Sequence, residues 1–154
     1  MRWRSDCTVI DLRHFSDACH KLGIIFGRPS FIKAGIVFQA CANMTAKLKE
    51  LGFEVFGGND LTFVDMGTKI GEFEDAARDA DVTLLFYAGH GMQVNGRNYL
   101  IPTDAPAAKP EEAAFLTAES IAVDQVLDTI CERGARVTVL ILDACRDNPF
   151  SSKA

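Results

Sequence analysis

Two uninterrupted apolar runs stand out along the chain. The first, Val82-Thr83-Leu84-Leu85-Phe86-Tyr87, is short, aromatic and β-branched, as expected of a strand buried on both faces of a parallel sheet. Residues 136–142 make a second continuously apolar strand. Between and before them the periodicity changes to that of helices. Residues 42–51 place Met44, Leu48 and Leu51 on one stripe, with Lys47, Lys49 and Glu50 facing outward. Gly52 then stands where a helix ends in a left-handed residue. Phe53-Glu54-Val55-Phe56 alternates as a strand, and Gly57-Gly58-Asn59-Asp60 is expected to break it. Val64, Ile70, Phe73 and Ala77 form the apolar side of a second helix, weakened by Gly67 and Gly71.

Residues 93–100 read as a hairpin turning at Asn95-Gly96. Residues 102–110, rich in Pro and Ala, read as a loop. Residues 124–131 form a helix stopped near Gly134. The first 40 residues are less periodic. Gly23-Ile24-Ile25-Phe26-Gly27 suggests a short buried strand, and Gly35-Ile36-Val37-Phe38 a weaker one. Strand, helix, strand, helix, strand, hairpin, helix, strand predicts an α/β three-layer sandwich with a mostly parallel sheet. No internal repeat is visible.

Composition narrows the function classes. A chain of 154 residues, 48% hydrophobic and 24% charged, is one domain's worth of globular sequence. No apolar run approaches the ~18 residues of a membrane span. The net charge of −5 has the wrong sign for a nucleic-acid or anionic-membrane binder. Charge is uneven. Residues 1–40 carry six basic and three acidic residues (+3), and residues 41–154 carry ten basic and 18 acidic (−8). The charge changes sign near residue 40, which divides the chain into an N-terminal segment, 1–40, and a domain, 41–154. The basic start lacks an apolar signal-peptide core, so the expected location is the cytoplasm. Five cysteines with no C-x-x-C pair argue against a disulfide framework or zinc knuckle, and each alone reads as a buried reduced thiol.

Both strong strands lead into polar clusters: Tyr87-Ala88-Gly89-His90-Gly91-Met92 and Asp143-Ala144-Cys145-Arg146-Asp147-Asn148. Parallel strands deliver both clusters to the carboxyl edge of the sheet, where open α/β sheets bind ligands. An imidazole there can take or stabilise the proton of a thiol and so make it nucleophilic. Gly89 and Gly91 let the backbone approach a substrate, and the amides of Gly91 and Cys145 are placed to meet a developing oxyanion. His14 and His20 lack such a setting and read as surface residues. Metal binding by His90 and Cys145 is disfavoured, because further ligands at suitable spacing are missing, so no metal or other cofactor is expected.

Phe86-Tyr87-Ala88-Gly89-His90-Gly91-Met92-Gln93 resembles the histidine motif of the caspase-like cysteine peptidases, in the bacterial branch related to metacaspases and paracaspases. Leu142-Asp143-Ala144-Cys145-Arg146-Asp147-Asn148-Pro149-Phe150 resembles their cysteine motif. Asn95-Gly96-Arg97-Asn98-Tyr99-Leu100 and Leu51-Gly52-Phe53 fit the same family, so the likeness covers residues 43–150. The resemblance implies an endopeptidase in which Cys145 attacks the scissile carbonyl and His90 handles protons. Asp143 matches the acidic residue lining the first specificity pocket of the basic-specific branches, which implies cleavage after Arg or Lys of a protein or peptide substrate. Gln39-Ala40-Cys41 mimics part of a caspase motif but lies upstream of the histidine.

The chain departs from the pattern in three places. Gln39 and Ala40 stand where the family carries an Asn-Asp pair that helps build the basic-specific pocket. The opening strand is hard to find, unless residues 23–27 supply it after a shortened connection. Nine residues follow Cys145, so the expected fold is C-terminally incomplete, with an open sheet edge suited to self-association and with little turnover. The alternative to the enzyme is an inactive or truncated caspase-like fragment acting as a regulatory or interaction module. A redox-sensing thiol protein is a fainter third reading, as no resolving cysteine is evident near Cys145.

Overall fold

The computed structural model describes residues 21–27, 34–106 and 113–144. In chain order these form β1 (Lys21–Gly27), α1 (Ala34–Glu50), β2 (Glu54–Asn59), α2 (Phe63–Ala76), β3 (Val82–Gly89), β4 (Gly91–Val94), β5 (Arg97–Leu100), α3 (Ala113–Ala118), β6 (Ile121–Ala122), α4 (Val123–Glu132) and β7 (Val137–Ala144). The main sheet is wholly parallel, in the order β2-β1-β3-β7. A small antiparallel sheet, β4-β5-β6, stands beside it. This is the expected α/β architecture.

The period-two pattern of β3 sorts its side chains between two cores. Val82, Leu84, Phe86 and Ala88 pack with Ile25, Cys41, Leu48 and Phe53 on the α1 side. Leu85 and Tyr87 join Ile24, Ile70, Phe73, Val126 and Ile130 on the side of α2 and α4. Seven of the eight β3 residues are buried, so β3 is covered on both faces as its run of apolar residues predicts. Position 83 faces the same side as Leu85, and Thr83 satisfies its buried hydroxyl by donating to Thr138 Oγ1 (2.9 Å) across to β7.

Local chemistry sets the helix ends. α1 closes in a Schellman arrangement: Phe53 N–H donates to Leu48 O (2.9 Å) and Gly52 N–H to Lys49 O (3.0 Å), with Gly52 at φ +80°. At the start of α2, Thr62 Oγ1 accepts from Asp65 N–H (3.2 Å), and Asp104 Oδ1 accepts from Phe63 N–H (2.8 Å). Two of the orphan donors at that helix end are thereby satisfied. Asn95 and Gly96, at φ +51° and +78°, give the hairpin its expected turn.

Several expectations need correction. Residues 35–38 belong to α1, not to a strand, because the helix starts at Ala34. Residues 23–27 do lie in a strand, β1, which pairs between β2 and β3. Gly57-Gly58 does not end β2, which continues to Asn59. A Cβ at Gly57 would lie 1.9 Å from Ile25 O, so glycine is what lets β2 run this close to β1. Val64 is exposed, and Met66 takes its place in the core. Cys131 is exposed rather than buried, whereas Cys41 is buried. α3 and β6 are additions to the element list. His14, His20, Cys7 and Cys19 lie outside the described residues, as does the second half of the 102–110 loop.

Candidate active site

The carboxyl edge of the sheet is built by the parallel pairing of β3 with β7. Register runs Tyr87↔Leu142, Ala88↔Asp143 and Gly89↔Ala144. The next residues in sequence after these two strands are His90 and Cys145. His90 is exposed, the single residue between the end of β3 at Gly89 and the start of β4 at Gly91. Cys145 lies outside the described residues, so the position of the thiol is not part of this geometry.

The His90 backbone is tightly held although its side chain is free to meet solvent. Its carbonyl accepts from Ile101 N–H at 3.0 Å and from Tyr87 Oη at 2.5 Å. The Ile101–His90 bond also defines the adjoining rung of the β4–β5 ladder. Gly91 opposes Leu100 as a non-hydrogen-bonded pair, so the Gly91 N–H is directed away from β5. That amide is left available on the open side of β4.

Asp143 occupies the last turn of pleat on β7, opposite Ala88 and exposed. By alternation it shares the α1 side of the sheet with Val139, which packs against Cys41's core. Asp143 and Cys41 are near enough to interact: burial pushes the Cys41 thiol pKa up, and the Asp143 carboxylate raises it further. The protonated form of Cys41 is thus favoured near the carboxyl edge of the sheet. The sequence hint of this placement is the spacing 41, 44, 48, which puts Cys41 on the buried stripe of α1. Sequence reasoning also passed over Tyr87 as an apolar strand residue; its phenol, three positions before His90, was the available signal.

Two surface grooves of about 570 and 560 Å³ flank the sheet. The larger lies among α2, α3, α4 and β5, and the smaller beside Cys41, Gly57 and Gly58. No group of three or more His, Cys, Asp or Glu suited to a metal ion occurs among the described residues. No helix among them is long and apolar enough to cross a membrane.

A parallel sheet with helices on both sides, and a glycine-flanked histidine beside the end of the neighbouring strand, defines a caspase-like α/β domain. The caspase-domain family model matches residues 39–154, and the chain belongs to this peptidase family. It is similar to mucosa-associated lymphoid tissue lymphoma translocation protein 1 homolog of Mus musculus, 29% identical over 131 residues. It is likewise similar to mucosa-associated lymphoid tissue lymphoma translocation protein 1 of Homo sapiens, 31% identical over 103 residues. These alignments take in 82% and 67% of this chain but 15% and 12% of the relatives' lengths. The family match begins at residue 39, inside α1, while β1 lies upstream of it in the same sheet.

Proposed function

We propose that the domain is a cysteine endopeptidase whose His90–Cys145 dyad cleaves after Arg or Lys. The observation that carries this reading is the Gly89↔Ala144 register, which sets the residues immediately before His90 and Cys145 side by side. In the proposed reaction the Cys145 thiol gives its proton to the His90 imidazole, and the sulfur attacks the scissile carbonyl carbon. The carbonyl π electrons move onto oxygen, and the Gly91 and Cys145 amides donate to that oxyanion. As the tetrahedral intermediate collapses, His90 returns the proton to the leaving amine, which leaves a thioester on Cys145. Water, deprotonated by His90, then releases the new carboxyl end and the free thiol.

Asp143 is exposed at the same edge, where its carboxylate would pair with a basic substrate side chain, in bidentate fashion for Arg. A cytoplasmic setting with reduced thiols suits a Cys nucleophile.

The test is a titration with an arginyl peptide electrophile, with labelling sites read by mass spectrometry. Stoichiometric labelling at Cys145 that disappears in Cys145→Ala and drops sharply in His90→Ala is the expected result. Labelling spread equally over Cys145 and the exposed Cys131 would overturn it. Cleavage of Arg and norleucine peptides by wild type and Asp143→Ala tests the pocket, since a preference unaltered by the substitution would remove Asp143 from it.

A second reading is favoured by one observation. β7 ends the described sheet, with Ile141 36% exposed, and an open apolar edge suits an interaction module that pairs with another strand. Self-association without electrophile labelling would select that reading.

A further inference from the structure

We propose that Tyr87 is a positioning residue for His90, holding the histidine loop from beneath through the His90 carbonyl. This inference rests on the reading of His90 as the proton-handling group.

Tyr87 is fully buried, in the core between the sheet and the α2–α4 layer. Phenylalanine would supply the same ring to that core. A phenol hydroxyl adds a desolvation cost there unless it finds a partner. It finds the His90 carbonyl at 2.5 Å, and lies 3.3 Å from the Ile101 carbonyl. With Ile101 N–H donating to the same His90 oxygen at 3.0 Å, that oxygen has two acceptor bonds. Gly89 and Gly91 flank His90 and by themselves would leave this turn many backbone conformations. Two hydrogen bonds on the central carbonyl remove most of that freedom.

The anchor is itself anchored. Two residues beyond Ile101, Thr103 donates from both N–H (3.1 Å) and Oγ1 (3.0 Å) to Leu61 O. Asp104 then caps α2 at Phe63 N–H. The His90 carbonyl is therefore linked, through the segment after β5, to the start of a packed helix. An exposed imidazole thus stands on a carbonyl held by two hydrogen bonds. Such a mount limits the imidazole to the few directions its own rotamers permit.

The test uses the full chain and does not depend on turnover. Iodoacetamide alkylation of Cys145 is followed against pH by mass spectrometry, with the exposed Cys131 as reference thiol. Thiolate held by an imidazole keeps Cys145 reactive at pH values where Cys131 has become slow. Tyr87→Phe is expected to cut this low-pH reactivity about five- to tenfold, the effect of one hydrogen bond, and to leave Cys131 unchanged. His90→Ala should abolish it.

If His90→Ala abolishes it and a folded Tyr87→Phe matches wild type, the positioning role is wrong and the dyad stands. If His90→Ala also matches wild type, the dyad reading falls and the inference with it. Should Tyr87→Phe fail to fold, amide exchange in the wild-type chain decides. Ile101 N–H must then be protected like the core of β3, and exchange as fast as at the Asn95-Gly96 turn overturns the proposal.

Discussion

β3 and β7 are both eight residues long, run parallel and in register, and each carries the start of one of the two motifs. Their surroundings differ sharply. β3 has strands on both sides and helices over both faces, and seven of its residues are buried. Among the described residues β7 has a strand on one side only, and none of its own residues is buried. On the α1 side, α1 packs over β1, β2 and β3, while Ile141 stands exposed beyond it. An apolar run therefore reports what a strand can bury, and its neighbours decide what it does bury. The histidine motif sits on the fully enclosed member of the pair, which suits a group whose orientation matters.

The largest effects should come from the enclosed strand. Leu85 and Leu140 are register partners facing the same core, one buried and the other partly so. Leu85→Ala should cost about 2–5 kcal/mol, the usual range for an emptied core site. Leu140→Ala should cost about half as much, in proportion to the apolar area it covers. Urea denaturation of the two variants checks the contrast, and equal losses would erase the distinction drawn between the strands.

The threonine pair that ties the strands together gives a smaller, equally lopsided test. Thr83 is buried and donates to Thr138 Oγ1 at 2.9 Å, and lies 3.3 Å from Val137 O. Thr83→Val should lower stability by about 1 kcal/mol, the net worth of one hydrogen bond. Thr138→Val should do less, because the Thr83 hydroxyl keeps Val137 O as an acceptor. The reverse order in thermal unfolding would mean that β7, not β3, depends on this contact.

Much of this contrast was out of reach of the sequence for a physical reason. The 82–87 run and the 136–142 run look alike because strand composition records side-chain polarity, not the number of neighbouring strands. The pairing of His90's strand with Cys145's could be read, since parallel strands share one carboxyl edge and both motifs follow apolar runs directly. Gly35-Ile36-Val37-Phe38 was misleading because four apolar residues fit a strand or a buried helical turn equally well. Gly57-Gly58 has the composition of a break, but here Gly57 serves a close approach between β2 and β1. Asp104's cap on α2, 41 positions from its partner, follows from tertiary packing and has no local signature.

The ends of the strands differ in charge as well as cover, and Cys41 reads that difference. Burial, then the Asp143 carboxylate, raises its thiol pKa. The native thiol thus keeps its proton at alkaline pH where the unfolded chain has lost its own. Stability from this source is complete below the ordinary thiol pKa and is lost as pH rises through the raised native value. Cys41→Ala should flatten the alkaline fall in stability. Asp143→Asn should soften it only slightly, because burial is the larger cause. If Asp143→Asn flattened the curve as fully as Cys41→Ala, charge rather than burial would govern this corner of the sheet.

The smallest change in stability is expected at Ile141, and there the comparison can be sharpened by a different readout. Ile141 lies on β7 and is 36% exposed, and the aliphatic stem of a lysine can cover much of the surface that the isoleucine covers. Ile141→Lys should leave the denaturation midpoint nearly untouched, within about 0.5 kcal/mol. A lysine on a sheet edge opposes the approach of a second strand by its charge and its hydration. If β7 is the surface through which copies associate, sedimentation velocity should show wild-type association growing with concentration, and Ile141→Lys staying monomeric. The matching control is Val64→Lys, which removes an even more exposed apolar residue, carried on helix α2 and not on a strand. Equal dissociation by both variants would mean that general surface apolarity drives association, and pairing at the β7 edge would not.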